Sequence, residues 1–288
     1  MKIGQTSEFT VGRYALLIVV AFLCCLADSS LANSSAKTND TTKKVSWIPF
    51  KATYVGVMNG TTVDDDGVRR LEYLGDKHFR FSAVAENMLF KAEEITEFQV
   101  EGEQVIPLQY LSERSTPFNT RKKALGFDWE NMRLHYHYRD KKGTKKLPLN
   151  TLDPLTSIFD LARQIKQQKT QLQFTEATGK KIKVRRYTLV GEETIDLPYG
   201  EVRAVKLAKI ESEDDKLFVW MAPDLNHLAV KVQKLEDGED YQLLLKSYRP
   251  EKAIEFTITE PDKAQESGSE AKPMPQVREP PPGPSDLK

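Results

Sequence analysis

Alternation of apolar and polar residues with a period of two recurs over about residues 47–248, and it constrains the fold more than any other feature of the chain. In "HFRFSAVAE", Phe79 and Phe81 share one face of a strand, and in "LAVKVQKL" Val230 and Val232 do the same. Such alternation is typical of strands with one buried face. Runs such as "KIKVRRYTLV" and "KLFVWMA" carry apolar residues on both faces, which indicates strands that are covered on the outer side too.

Short turn signals separate these runs: Asn59-Gly60, Gly75-Asp76, Gly102, Gly143, Pro198-Tyr199-Gly200 and Asp237-Gly238. An Asp-Gly pair between two alternating runs is a strong hairpin signal. Many strands joined by short turns predict a mainly β protein, an antiparallel meander that forms a curved sheet, a half-barrel or a barrel.

One segment, "TLDPLTSIFDLARQIKQQK", departs from this period. Its apolar residues recur at helical spacing, and one face carries Leu155, Ile158, Phe159, Ala162 and Ile165. Asp153 is expected to cap the helix, and Pro154 suits its first turn. We therefore predict one amphipathic helix over about residues 153–168, with its apolar stripe on the sheet or inside the barrel.

The first 32 residues have the pattern of a cleavable signal peptide. A polar lead with basic residues precedes the 14-residue apolar run Tyr14–Ala27, which is shorter than the ~20 residues that a membrane-spanning helix needs. Small residues at Ser30 and Ala32 predict cleavage after Ala32. The mature chain would then have no transmembrane segment, whereas an uncleaved N-terminal anchor is the alternative.

The rest of the chain divides by composition. Residues 33–46 are polar and read as a flexible leader, and residues 47–260 form a single β-rich domain. Residues 261–288 contain seven prolines and no aromatic residue, which predicts a disordered tail with some polyproline II structure.

Charge and cysteine content exclude several classes of protein. The 42 basic and 42 acidic side chains give a formal charge of zero, so no nucleic-acid partner is expected. Cys24 and Cys25 both precede the predicted cleavage site. The exported domain therefore depends on its core rather than on disulfides.

His135 and His137 are the two closely spaced histidines of the sequence. Imidazoles at positions i and i+2 of a strand could bind one metal, but Arg133 and Arg139 share their face and would repel a cation. No cysteine or suitably spaced carboxylate completes the set. The segment is interpreted as a strand with a solvated face, and neither a metal nor a cofactor is expected.

The motifs of common enzyme classes are absent: there is no nucleophile elbow, phosphate-binding loop or His-Glu-x-x-His pair. The pairs Glu93-Glu94 and Glu192-Glu193 could supply acid and base carboxylates, but among 42 acidic residues they are interpreted as surface charge. The acidic run Asp64–Gly67 and the basic run Arg139–Lys146 are interpreted as solvated hairpin tips. We therefore predict no catalytic residue.

Four motifs follow one another in a familiar order: "FDW" at residues 127–129, "LDPLTSIFDLAR", "LPYGEVRAVKL" and "VWMAPDLNHLAVKV". Over about residues 50–248 the chain resembles the bacterial envelope proteins catalogued as domain of unknown function 3108. Thr156 and Ala229 depart from the serine and proline that are usual there. The resemblance implies a periplasmic protein of a Gram-negative bacterium, dominated by antiparallel sheet, and it implies no activity.

Two hypotheses for function follow. The first is a binding module that carries a lipid or another apolar ligand of the cell envelope, because barrels and half-barrels can keep an apolar cavity. The residues expected to face that cavity are Phe79, Phe81, Leu155, Ile158, Phe159, Ile165 and Trp220. The second is a structural or interaction protein that supports envelope biogenesis through a protein partner bound at a strand edge or loop.

A local structural motif is expected just before Asn131. Asp128 can accept hydrogen bonds from backbone N–H groups of that turn, and Trp129 is expected to pack nearby. Asp153 is assigned the corresponding role at the start of the helix.

Overall fold

The computed structural model describes residues 42–86, 90–212 and 215–259. The predicted signal peptide and the predicted proline-rich tail lie outside the described residues. The first strands are β1 (Thr42–Trp47), β2 (Phe50–Met58), β3 (Thr61–Gly75), β4 (His78–Glu86), β5 (Lys91–Glu101), β6 (Gln104–Thr116), β7 (Asn119–Asp128), β8 (Arg133–Tyr138), β9 (Lys141–Lys146) and β10 (Thr151–Leu152). After helix α1 (Ser157–Lys166) come β11 (Gln171–Thr178), β12 (Lys181–Leu197), β13 (Gly200–Ile210), β14 (Asp215–Ala222), β15 (Leu228–Glu236), β16 (Glu239–Pro250) and β17 (Ile254–Thr259).

Among the described residues, fifteen of these strands form one sheet in the order β10 to β16, then β2 to β9. Each strand from β2 to β9 pairs with its neighbour in sequence, and so does each from β11 to β16. The two meanders join because β16 pairs antiparallel with β2. Within the described chain the sheet is open, with β9 and β10 at its two ends, and the prediction of a curved antiparallel sheet with one helix is confirmed.

Hairpin turns explain this regular order. Asp237 and Gly238 have φ of 51° and 83° between β15 and β16, and Asn59 and Gly60 have φ of 49° and 79° between β2 and β3. Two successive residues in the left-handed region give the turn whose twist matches that of the flanking strands. Sequence neighbours within each meander therefore pair without a crossover, whereas β10 and β11, which α1 connects, pair in parallel.

Residues 42–46, predicted to belong to a flexible leader, are part of β1, and the rest of that leader lies outside the described residues. β1 pairs antiparallel with β17 to form a separate two-stranded ribbon. Val45 and Trp47 of β1 are buried, so the ribbon is held on the domain by apolar burial. The polar composition of the leader concealed this because only these two positions face the core.

Two turn assignments are corrected. Gly143 lies inside β9 opposite Tyr136, and the turn falls at Arg139, where φ is 53°. A Cβ atom at Gly143 would lie 2.5 Å from the Tyr136 hydroxyl oxygen, so the glycine makes room for that ring. The acidic run Asp64–Gly67 lies within β3, where the register with β2 shifts, and is not a hairpin tip.

Helix α1 begins at Ser157, four residues later than predicted. The Asp153 carboxylate accepts hydrogen bonds from the backbone N–H groups of Leu155 (2.7 Å) and Thr156 (3.0 Å). These bonds stabilise a turn that precedes the helix instead of the first helical turn itself. All five residues of the predicted apolar stripe are buried.

The helix packs on one face of the sheet, here called the inner face. Five rings, the aromatic core, fill the space beneath one side of α1: Trp47, Phe79, Phe81, Phe98 and Phe159. Each of these side chains is at most 1% exposed, and neighbouring ring centroids are 5.2–5.8 Å apart. Such spacing is that of closely packed aromatic pairs, so this part of the interior is solid.

Candidate functional site

The other side of α1 forms the floor of a cleft of about 210 Å³. Its apolar lining comes from the start of the helix and from β14 and β15: Pro154, Ile158, Leu161, Leu217, Val219 and Val232. Its walls carry six charged side chains from six strands: Glu94, Arg114, Lys123, Glu176, Arg185 and Lys209. We call this site the charged cleft. It brings β5, β6 and β7 of one meander opposite β11, β12 and β13 of the other.

Two of the four cations in the charged cleft are held by its own carboxylates. Arg114 Nη2 lies 3.0 Å from Glu94 Oε1, and Arg185 Nε lies 2.9 Å from Glu176 Oε1. Lys209 Nζ lies 2.7 Å from Glu211 Oε1, which Arg185 also contacts. Three carboxylates therefore balance three of the four cations.

Lys123 is the cation left over. Within the described ranges no carboxylate oxygen lies within 4 Å of its Nζ atom, although Glu94 and Glu176 are its nearest acidic neighbours. Burial lowers the pKa of the Lys123 ammonium, and the Glu94 carboxylate opposes that shift. A partly desolvated cation that lacks a counter-ion attracts an anion electrostatically.

Glu94 is the deepest charged residue of the charged cleft. It is 2% exposed, and its Oε2 atom is buried without a hydrogen-bond partner in the described part of the chain. A buried carboxylate oxygen without a donor costs free energy that a donor would recover. The interpretation of Glu94 as surface charge is therefore wrong, because Glu94 alternates with Thr96 and Phe98 on the inner face of β5.

Two further groups define what the charged cleft can do chemically. Burial raises the pKa of the Glu176 carboxyl, and Arg185 opposes that shift. Burial also raises the pKa of the Tyr187 hydroxyl. Tyr187 therefore keeps its proton at neutral pH and can donate a hydrogen bond, so the cleft offers donors, acceptors and a cation in one place.

Asp153 fixes the helix that forms the floor. It is fully buried, and its Oδ2 atom accepts hydrogen bonds from the hydroxyls of Thr96 (2.7 Å) and Thr156 (2.8 Å). Burial raises the pKa of this carboxyl to about 6, although its hydrogen bonds act in the opposite direction. Thr96 belongs to β5, so this contact ties the start of the helix to the wall that carries Glu94.

Gln164 fixes the same helix to the opposite wall. Its side-chain amide donates to the Gln173 carbonyl (3.0 Å) and accepts from the Gln173 N–H (3.1 Å). It thus makes the hydrogen bonds that a neighbouring strand would make. Since β10 pairs only with Thr175 and Glu176, Gln164 extends the protection of the β11 edge.

The structure separates the residues that were expected to line one apolar cavity. Phe79, Phe81 and Phe159 belong to the solid aromatic core, whereas Ile158 lines the charged cleft. Leu155 and Ile165 are buried in the interior beside the helix.

Trp220 lies on the outer face of β14, opposite to Leu217 and Val219, so the expectation that it faces inward is wrong. Its indole donates to Glu193, and the Nζ atoms of Lys206 and Lys231 each lie 4.7 Å from its ring centroid. These side chains cover the ring and leave it 3% exposed. Glu193, interpreted as surface charge, thus holds this indole.

Asp128 and Trp129 form a compact local structure. The Asp128 carboxylate accepts hydrogen bonds from the backbone N–H (2.9 Å) and the side-chain amide of Asn131, and these bonds lower the pKa of the carboxyl. Trp129 donates to the Pro107 carbonyl (2.7 Å) and stacks on Phe127. Neither residue lines the charged cleft.

The two histidines of β8 lie outside the charged cleft. His135 Nδ1 lies 3.2 Å from the Thr144 hydroxyl, and its Nε2 lies 3.8 Å from an Asp128 oxygen. In the described ranges, no group of three or more histidine, cysteine or acidic residues is arranged to hold a metal.

Sequence reasoning missed the charged cleft because its six charges are spread from residue 94 to residue 209. The sequence did contain one signal for the cleft, namely a charged residue at a position of an alternating strand that shares the inward face. Lys123 precedes Leu125 and Phe127 on one face, and Arg114 follows Tyr110 and Ser112. Only the register of the sheet brings these positions together.

Comparison with known families identifies the domain. Residues 44–246 match the family described as "Protein of unknown function (DUF3108)". The chain belongs to this family. The match confirms the resemblance seen in the motifs, and no curated protein matches the DUF3108 chain.

Among solved structures, the chain is similar to a β-barrel-like protein of domain of unknown function DUF1849 from Brucella abortus. The sequence identity is 9% and the TM-score is 0.48, and the match covers 71% of this chain and 98% of that chain. In the described residues of the DUF3108 chain, no helix has the length and apolar character needed to cross a membrane.

Proposed function

We propose that the protein is an exported, periplasmic binding protein without catalytic activity, and that the charged cleft holds a small amphiphilic anion. The observation that carries this proposal is the buried Lys123 ammonium, which in the described part of the chain has no carboxylate oxygen within 4 Å and lies beside an apolar floor. The signal-peptide pattern of residues 1–32 supports export. The two carboxylates of the lining, Glu94 and Glu176, are each paired with an arginine, Arg114 and Arg185, which favours binding over acid–base chemistry.

The three parts of the charged cleft specify the ligand. Lys123 favours a carboxylate or phosphate, and the unpaired Glu94 oxygen favours a hydroxyl or ammonium donor next to that group. Ile158, Leu161 and Val219 favour a short hydrocarbon part. The volume of 210 Å³ is below the ~300–1,000 Å³ of sites for larger ligands. The expected ligand is thus a short hydroxy or amino acid with an aliphatic chain, and a whole lipid is too large.

The first test is native mass spectrometry of the mature protein, purified from a periplasmic extract without detergent. A bound small acid released by organic extraction would support the proposal. Calorimetric titration then compares 3-hydroxyoctanoate with octanoate, which lacks the donor, and with octylamine, which lacks the anion. We expect 3-hydroxyoctanoate to bind best and octylamine not to bind.

Variants at adjacent residues of β7 supply the matched control. Lys123→Met removes the proposed anchor and should weaken binding about 10- to 100-fold, as expected for a lost charge-assisted hydrogen bond of about 1.5–3 kcal/mol. Lys122→Met removes a lysine that pairs with Glu113 outside the cleft and should bind as the wild type does. Equal binding by both variants, or no binding of any probe by the wild type, would overturn the proposal.

A second function, interaction with a protein partner of the envelope, is favoured by a different observation. The aromatic core is filled, so Phe79, Phe81 and Phe159, which were first expected to face an apolar ligand, leave no space for one. The open end of the sheet at β9 is the surface that such a partner would use.

A further inference from the structure

The β9 edge, defined as Lys141–Lys146, is the open end of the fifteen-stranded sheet. β9 pairs with β8 on one side, and in the described part of the chain no strand pairs with its other side. The opposite end differs, since β10 and the Gln164 side chain cover β11. Free backbone groups along an edge strand can pair with another extended chain.

The β9 edge is strongly cationic although the whole chain has no formal net charge. Residues 133–146 contain six lysine or arginine residues and one carboxylate, that of Asp140. Of the lysines, Lys141 and Lys145 fall on one face of β9, and Lys142 and Lys146 on the other. Among the described residues, no carboxylate oxygen lies within 4 Å of any of these four ammonium groups.

The cross-strand register adds repulsion. Arg133 of β8 lies directly opposite Lys146 of β9. Like charges in directly opposed positions destabilise a strand pair. A partner that brings carboxylates to this edge would relieve that repulsion, whereas a basic partner would increase it.

We propose that the β9 edge binds an acidic, extended segment of a partner protein as an added strand. The backbone of β9 supplies the hydrogen bonds, and lysines on both faces pair with acidic side chains that alternate along the partner. The same lysines repel basic strands and lose hydration beside neutral ones, which disfavours sheet-to-sheet aggregation. A membrane surface would contact the lysines of one face only, so their distribution over both faces favours a strand. The proposal does not depend on a ligand in the charged cleft.

The test uses the full mature protein and an acetylated octapeptide of alternating glutamate and threonine. On binding, the backbone amides of β9 should exchange more slowly with deuterium, because they become hydrogen-bonded. The variant Lys142→Glu/Lys145→Glu reverses one charge on each face and should weaken binding by up to about 30-fold, since each exposed pair contributes up to ~1 kcal/mol. Lys51→Glu/Lys252→Glu makes the same change in charge at two exposed positions elsewhere and should bind normally.

A second peptide separates strand addition from simple charge attraction. Methylation of alternate backbone nitrogens keeps every carboxylate but removes the donors that an added strand needs, so this peptide should not bind. Equal binding of the methylated peptide would overturn the proposal. It would also be overturned if neither peptide bound while phosphatidylglycerol vesicles bound in a way that Lys142 and Lys145 control.

Discussion

The aromatic core and the charged cleft lie on two sides of the same ten-residue helix. One is closely packed and apolar, whereas the other is open and charged. In the aromatic core, Phe159 contacts Trp47, Phe81 and Phe98, and all four rings are at most 1% exposed. On the other side of the helix, Ile158 and Leu161 line the open cleft together with buried carboxylates. The cleft also contains the Lys123 ammonium, which in the described residues has no carboxylate oxygen within 4 Å.

Under the proposed function, this difference separates the side of the helix that gives stability from the side that binds. Close packing on one side fixes the position of α1, and this allows the other side to hold groups that destabilise the folded state. Uncompensated polar groups persist only where the surrounding structure is over-determined. Variants on the two sides of the helix should therefore affect different properties. Changes in the aromatic core should lower stability, and changes in the charged cleft should weaken binding.

Phe159→Ala should cause the largest loss of stability. It removes the ring that joins the helix to the aromatic core and leaves a cavity, so the free energy of unfolding should fall by about 3–5 kcal/mol. Urea denaturation followed by tryptophan fluorescence measures the change. Phe118→Ala, at a position that is 98% exposed, is the control and should have little effect. A loss below about 1 kcal/mol for Phe159→Ala would contradict a solid core.

Asp153→Ala should have the next largest effect. The change leaves two backbone N–H groups and two threonine hydroxyls without their acceptor, at a cost of about 2–4 kcal/mol. Asp153→Asn keeps an oxygen for the backbone groups, so at pH 7.5 it should stay within about 1 kcal/mol of the wild type. Denaturation of the three proteins side by side tests this order, and equal loss in both variants would contradict it.

The Asp153 carboxyl also makes the free energy of unfolding depend on pH. Its pKa is about 6 in the folded protein, against 3.8 for an unperturbed aspartate, so the folded state binds the proton more tightly than the unfolded state does. Protonation therefore stabilises the fold: the contribution is complete below about pH 4 and is lost as the pH rises through 6. Between pH 7 and pH 4 the wild type should gain on the order of 3 kcal/mol relative to Asp153→Asn. A constant difference between the two proteins over that range would contradict the assignment.

Lys123→Met should have the smallest effect on stability, and in the opposite direction. Because burial disfavours the ammonium, its removal should raise the free energy of unfolding by up to about 1 kcal/mol while ligand binding weakens about 10- to 100-fold. Thermal unfolding at low ionic strength measures this gain. A destabilised Lys123→Met would mean that the lysine serves the fold, and the contrast between the two sides of the helix would then disappear.

The parts of the fold that depend on neighbouring residues were predictable from the sequence. Hairpins such as Asp237-Gly238 and the apolar stripe of α1 follow from turn chemistry and from helical spacing, which act over a few residues. The start of α1 was not, because the side chain of Asp153 favours a turn as readily as a helix cap. Trp220 was placed on the wrong face because β14 is apolar on both faces, so alternation alone cannot orient it.

The candidate site was less predictable, for a geometric reason. Lys123 and Arg185 acquire their roles only when two meanders face each other across the helix, and that arrangement depends on pairing between distant strands. An inward charge such as Glu94 was visible in the alternation of β5. The residues that surround Glu94 in the cleft are determined by the register of the whole sheet, which the alternation of one strand does not give.

The pairing of β2 with β16 has a consequence for the order of folding. Tyr54 of β2 pairs with Leu245 of β16, which lies 191 residues later in the chain. The meander from β2 to β9 is local and can form early, but contacts across so long a loop form late because closing the loop loses chain entropy before any contact is gained. Until β16 emerges, the newly made chain carries an unpaired edge on β2 that is open to intermolecular pairing. The β15–β16 hairpin thus completes the fifteen-stranded sheet, and a chain that stops before it would be prone to aggregate.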